Sequence, residues 1–207
     1  MKAIYLIILL LLISCASKNG DQLYEEAKRF YHNAEYDQAC VTFIKAIDKT
    51  LTTNSYAEAY TYLGNIYSEK EQYDSSILMY KNALDFDSIY VDAWVNMGID
   101  YRLTGDLTEA ERCYMKAREI NQRDPELYVS LGALNIYQGD IEKAIENLEF
   151  AIELDPTIPT AHANYALALA LDGNFVAADY EIRTAVSIGY KNGDIIRDRI
   201  EELKNME

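Results

Sequence analysis

Side chains able to do covalent or metal chemistry are scarce in this sequence. There are three cysteines, Cys15, Cys40 and Cys113, and two histidines, His32 and His162. The histidines are far apart in sequence and too few for most metal sites. The glycine-flanked serine of hydrolases, the glycine-rich phosphate loop, the His-Glu-x-x-His zinc motif and the Cys-x-x-Cys redox pair are all absent. Neither a catalytic residue nor a metal ligand is expected, and Cys15 is the thiol with an informative context. Lys2 and the terminal amine precede an unbroken apolar run of 11 residues, Ala3 to Ile13. That run is too short to cross roughly 30 Å of hydrocarbon as a helix. Small and polar residues follow it, which is the layout of a secretory signal segment.

The junction Leu12-Ile13-Ser14-Cys15 resembles the lipobox of bacterial lipoproteins, with an aliphatic residue three before the cysteine and a small one just before it. The resemblance implies a signal peptide over residues 1–14, cleaved before Cys15, whose sulfur receives a diacylglycerol and whose new amine is acylated. No cofactor is expected beyond this covalent lipid. Two or more acyl chains anchor stably where one is marginal. By the family's sorting rules Ala16, in place of an aspartate, implies the outer membrane. The chain would then be lipid-anchored in the bacterial cell envelope and face the periplasm, with residues 15–19 as a tether spanning less than about 20 Å. Loss of Lys2 takes the net charge from −15 to −16 (−15 − 1). So acidic a surface repels phosphate backbones and anionic bilayers, which excludes nucleic acid and leaves acyl chains to hold the membrane.

The rest of the chain is periodic. Trp94-x-x-Met97-Gly98-x-x-Tyr101 leads through Gly105-Asp106 to Ala110-x-x-x-Tyr114-x-x-Ala117, an apolar helix face, a turn and a second apolar face. Copies recur every 34 residues downstream, and upstream after a three-residue insertion at Asn54-Ser55-Tyr56. Neither helix can bury its stripe alone, so such copies must stack. The pattern resembles the tetratricopeptide repeat (TPR). The resemblance implies an all-α fold, an α-solenoid that winds as a right-handed superhelix of five helix-turn-helix repeats (20–53, 57–90, 91–124, 125–158 and 159–192). Residues 193–207 would close it with a C-terminal capping helix, Ile195, Ile196, Ile200 and Leu203 sharing its apolar side. Gly98 and Gly132 each cost about 1 kcal/mol inside a helix, which implies a close crossing at both. Gly105-Asp106 and Gly139-Asp140 are expected to end one helix and cap the next. Cys40 and Cys113 fall in non-adjacent repeats and are expected as separate thiols. His162 stands in the Trp94 slot and is expected to pack.

In TPR arrays the first helices line a concave groove where ligands bind, and spacing identifies the positions facing it. In the first two repeats these are polar: Asp21, Tyr24, Lys28, Tyr31 and His32, then Glu58, Thr61, Asn65, Ser68 and Glu69. They turn apolar in the third, with Val95, Ile99 and Leu103 around Arg102. The fourth adds Val129, Ile136 and Tyr137, and the fifth Leu167 and Leu171. Of 18 tyrosines, Tyr24, Tyr31 and Tyr137 are expected where a ligand could meet them. The chaperone-type carboxylate clamp is disfavoured. Asn65 and Asn96 match its amides, but Thr61, Glu126 and Ser130 stand at its cationic places. The fourth repeat, with seven acids against Lys143, nets −6, and most of that charge lies on a convex, solvated second helix. The function expected is a non-catalytic, lipid-anchored scaffold that binds another cell-envelope protein through this groove and assists assembly of an envelope or outer-membrane complex. Two alternatives stay open: a carrier or holdase for apolar ligands or unfolded chains, and a self-associating lipoprotein whose homodimer contact is the groove.

Overall fold

The computed structural model describes residues 18–206, the side chains of 53–55 excepted. Cys15, the signal segment and the first residues of the tether lie outside the described residues. Those that are described form eleven α-helices and no strand, an all-α helical-repeat fold. They divide between Ser88 and Ile89 into two compact units. The first holds α1 (Gly20–His32), α2 (Tyr36–Asp48), α3 (Thr53–Glu69) and α4 (Tyr73–Phe86). The second holds α5 (Val91–Leu103), α6 (Leu107–Ile120), α7 (Pro125–Gln138), α8 (Ile141–Leu154), α9 (Pro159–Leu171), α10 (Phe175–Ser187) and α11 (Gly193–Lys204). None of these helices is long and apolar enough to cross a membrane.

Local chemistry sets the boundaries. Asn19 opens α1 with a capping box: its side-chain oxygen accepts from the Gln22 amide at 2.8 Å, and its own amide donates to Gln22 Oε1 at 3.1 Å. Asp124 caps α7 by accepting from the Leu127 amide at 2.9 Å, with Pro125 in the first turn where its missing N–H costs nothing. Asp106 caps α6 in the same way, through the Glu109 amide at 3.2 Å. Asp140 does not cap α8; its carboxylate is drawn to Lys143 Nζ at 2.5 Å.

The turn inside each helical hairpin needs one left-handed residue. Gly105, Gly139 and Gly173 supply it in the second unit, at φ of 87°, 78° and 81°. In the first unit Ala34 and Glu71 are forced to the same conformation, at φ of 60° and 57°, which a side chain adopts only at a cost of about 1 kcal/mol.

Packing within each unit follows the repeat. Helices α1, α2 and α3 join through Leu23, Ala27, Phe43, Ala46, Leu63 and Ile66, with Met79 of α4 packed alongside. In the second unit Ala110, Tyr114 and Ala117 of α6 pack with Leu127 and Leu134 of α7, and Leu148 of α8 packs with Ala168 of α9. A fully buried side chain of this size stabilises by about 1.5–3 kcal/mol relative to exposure. The helical glycines mark where the large residue of the second helix drives into the first. A Cβ on Gly98 would stand 2.5 Å from Tyr114 Cε1, and Gly64 and Gly132 meet Tyr80 and Leu148 in the same way.

Helix α11 packs against α9 and α10 through Ile200, with Ile196 and Leu203 alongside. Ile195 departs from the sequence-based expectation, being 66% exposed, because it precedes Ile196 by about 100° of helix turn and falls off the covered side. Neither Cys40 nor Cys113 is in a disulfide.

Candidate protein-binding site

The nine expected groove residues lie in the second unit, on the first helices α5, α7 and α9, and they separate into three depths. Val95 and Val129 are core residues, 4% and 6% exposed. Val95 packs in the cluster that includes Leu127 of the next repeat, and Val129 in the one that includes Ala161. Neighbouring first helices thus consume these two valines, and they present no surface for a partner. Ile99, Arg102, Ile136 and Leu167 are half-buried. Leu103, Tyr137 and Leu171 stand out at 50%, 63% and 37%. These last three occupy one repeat position, spaced 34 residues apart at the C-terminal ends of α5, α7 and α9. An apolar side chain recurs there in three successive repeats without interruption. Exposed apolar residues on the second helices lack that continuity: Tyr180 aligns with Arg112 and Glu146, and Val176 with Thr108 and Glu142. Singly exposed residues need no explanation, whereas a contiguous strip does.

The corresponding helices of the first unit, α1 and α3, are built differently. Tyr24 is buried at 4% exposure, a correction to its expected place at the surface. Its ring packs edge-on against Phe43, and the Lys28 ammonium covers it 4.8 Å from the centroid. Burial, with the Glu58 carboxylate beside it, pushes the Tyr24 phenol well above its usual range. Tyr31, half-buried, sits in edge contact with Tyr62 at 4.8 Å and with exposed His32 at 5.7 Å. The rings pack on one another, while the Tyr24 hydroxyl is buried without a hydrogen-bond partner.

A finer difference separates two tyrosines of equivalent position. Tyr80 passes over Gly64 and its hydroxyl donates to Asn65 Oδ1 at 2.8 Å. Tyr114 passes over Gly98 in the same way, but Ile99 stands where Asn65 stands and provides no acceptor. Tyr114 Oη and Arg102 Nε are both buried without a hydrogen-bond partner. The Arg102 guanidinium and the Ser130 hydroxyl lie beside that phenol, and burial, opposed by Arg102, pushes it up to about 12. Sequence reasoning treats Tyr114 as a slot-filler only. The signal available is the change from Asn65 to Ile99 beneath an unchanged tyrosine.

Three other features compete for attention. His162 is packed, 6% exposed, with Nδ1 2.6 Å from Glu181 Oε2 and Nε2 3.0 Å from the Pro156 carbonyl oxygen. Both nitrogens are in use, which makes it structural. A cleft of about 570 Å³ between α10 and α11 is lined by Arg183, Arg197 and Lys204 beside Asp179, Asp198 and Glu201. Arg183 pairs with Asp179, and Arg197 with Asp194 at 2.9 Å, so its two guanidinium groups are already engaged. At the start of α7, partial desolvation and the carboxylates of Asp124, Asp155 and Asp92 hold Glu126 above the usual carboxylate range. No group of three or more His, Cys, Asp or Glu side chains able to hold a metal occurs among the described residues.

Comparison with known proteins identifies the repeats. Two family models, both described as tetratricopeptide repeat, match residues 57–90 and 90–157. Anaphase-promoting complex subunit 3 of Schizosaccharomyces pombe is 27% identical over 146 residues, 70% of this chain but 21% of that protein. The chain therefore spans about a fifth of that relative's length. The type IV pilus assembly protein PilF of Pseudomonas aeruginosa is 27% identical over 96 residues, 46% of this chain and 38% of that one. A solved structure of PilF superposes with a TM-score of 0.71 over 90% of this chain and 84% of that chain, at 18% identity. A thermophilic TPR protein of Thermus thermophilus gives 0.73 over 89% of this chain and 98% of that one, also at 18% identity. At such identities the structural likeness is one of fold.

Proposed function

We propose that this chain of tetratricopeptide repeats is a non-catalytic scaffold, lipid-anchored through Cys15 at the periplasmic face of a bacterial outer membrane. Its task is to bind another envelope protein during assembly of a complex. Repeats of this type mediate protein–protein contact, and one observation carries the reading further: the uninterrupted apolar strip of Leu103, Tyr137 and Leu171 on α5, α7 and α9. An extended or helical segment laid across these helix ends would cover all three side chains. PilF, named as a type IV pilus assembly protein, supports an assembly role. The apolar run before Cys15 and the Leu12-Ile13-Ser14-Cys15 junction support the anchor.

Affinity capture from cells should recover a partner with the native chain, and Tyr137→Asp together with Leu103→Asp should abolish recovery while circular dichroism stays unchanged. Recovery that survives both substitutions contradicts the strip as the contact. Metabolic labelling with an alkyne fatty acid should mark the native chain and leave Cys15→Ser unlabelled. Light scattering on residues 16–207 should report a monomer at high concentration. A concentration-dependent dimer would favour self-association, and co-purified lipid in native mass spectrometry would favour the carrier.

A further inference from the structure

Tyr114 and Arg102 present a problem that the fold leaves unsolved. A buried phenol and a buried guanidinium N–H each lack an acceptor, and an unsatisfied buried donor costs more than a satisfied one gains. None of the ion pairs among the described residues involves Arg102. The first unit shows how the same slot is satisfied internally, with Asn65 accepting from Tyr80 at 2.8 Å. In the second unit Ile99 replaces that acceptor and Arg102 stands at the place of Ser68, so one acceptor is lost and one cation gained. Arg102 is half-buried and precedes Leu103, the first residue of the exposed apolar strip.

We infer that Arg102, with the Tyr114 hydroxyl beneath it, receives a glutamate side chain from the segment that lies along Leu103, Tyr137 and Leu171. This rests on the reading of the strip as a protein-binding surface and gives it a charge requirement. A carboxylate supplies the acceptor that Asn65 supplies elsewhere, and it also neutralises the guanidinium through charge-assisted bonds. One carboxylate fits and a run of them does not, because the chain carries −15 overall and Asp92 and Glu126 stand on the same first helices. A side chain fits better than a chain terminus. Both donor atoms are buried while the strip is exposed, and a long side chain reaches buried donors while its backbone stays on an apolar surface.

The test uses the full chain in lipid nanodiscs and three probe peptides of leucine, valine and serine. One carries a central glutamate, the second glutamine at that place with an amidated end, and the third glutamine with a free C-terminal carboxylate. The glutamate peptide should bind about ten-fold or more tighter than either control. Arg102→Met should erase that preference, and its melting temperature should rise or hold, because it removes a buried N–H that has no acceptor. Ile99→Asn should also raise the melting temperature, by giving Tyr114 an internal acceptor, and should weaken the glutamate preference. Equal binding of all three peptides overturns the glutamate site and leaves the apolar strip standing. Equal binding of the glutamate and free-carboxylate peptides overturns the choice of a side chain. Binding of none overturns both the site and the strip. A fall in melting temperature for Arg102→Met overturns the site as well, by making Arg102 part of the fold.

Discussion

The two units use one set of packing residues and two kinds of first-helix surface. Tyr80 over Gly64 and Tyr114 over Gly98 are the same contact, and both tyrosines are buried. Around that shared frame the first unit turns inward: Tyr24 is covered by Lys28, Tyr31 by Tyr62, and the Tyr80 hydroxyl by Asn65. The second unit leaves Leu103, Tyr137 and Leu171 exposed and Tyr114 without an acceptor. Residues that recur with the repeat therefore build the fold. The position of Leu103, Tyr137 and Leu171 is where the units part, since the first unit fills it with His32 and Glu69.

Substitutions can break or sharpen this contrast. The largest effect is expected at His162, where the second unit places a buried charge-assisted pair in a slot that Leu23 and Tyr60 fill in the first unit. His162→Leu strands Glu181 and should cost about 3 kcal/mol in denaturant unfolding; a cost below about 1 kcal/mol would make the pair incidental. Gly64→Val and Gly98→Val should each cost about 2–3 kcal/mol by overpacking against a tyrosine ring. The two should respond alike, since packing is the part the units share. Replacing each tyrosine by phenylalanine should separate them: Tyr80→Phe should lose about 1 kcal/mol with its hydrogen bond, whereas Tyr114→Phe should cost nothing or stabilise. The turns should differ in sign as well. Ala34→Gly should gain about 0.5 kcal/mol, and Gly105→Ala should lose about 1 kcal/mol.

The smallest effect belongs to Glu126. Its carboxyl is raised in the folded chain, so its ionised form weakens the fold above the folded pKa, and the effect vanishes below the unfolded one. Glu126→Gln should raise the unfolding midpoint at neutral pH and leave it unchanged in acid, by less than about 1 kcal/mol because the residue is exposed.

The fold was legible in the sequence because it rests on recurrence. Trp94, Gly98, Ala110, Tyr114 and Ala117 repeat at fixed offsets, and each offset corresponds to a contact that every pair of helices must make. The exposed strip was legible in part: spacing placed Leu103, Tyr137 and Leu171 on one face, yet it also placed Val95 and Val129 there. How far a neighbouring first helix covers a position depends on crossing distances, which small residues such as Ala163 and Ala166 set and which no periodicity encodes. Tyr24 was misplaced for a related reason, since its cover is Phe43 of the paired helix together with the Lys28 ammonium, which the spacing of one helix does not encode. The missing acceptor at Tyr114 required knowing that the ring crosses the glycine and emerges beside Ile99.

The most direct test of the second unit as the recognition surface is photo-crosslinking in living cells from equivalent repeat positions. A photoreactive residue at Tyr137 or Leu103 should yield a discrete adduct with one envelope protein, and the same residue at Glu69 should yield none. Adducts of equal yield from Glu69 and Tyr137, or from Glu69 alone, would contradict it.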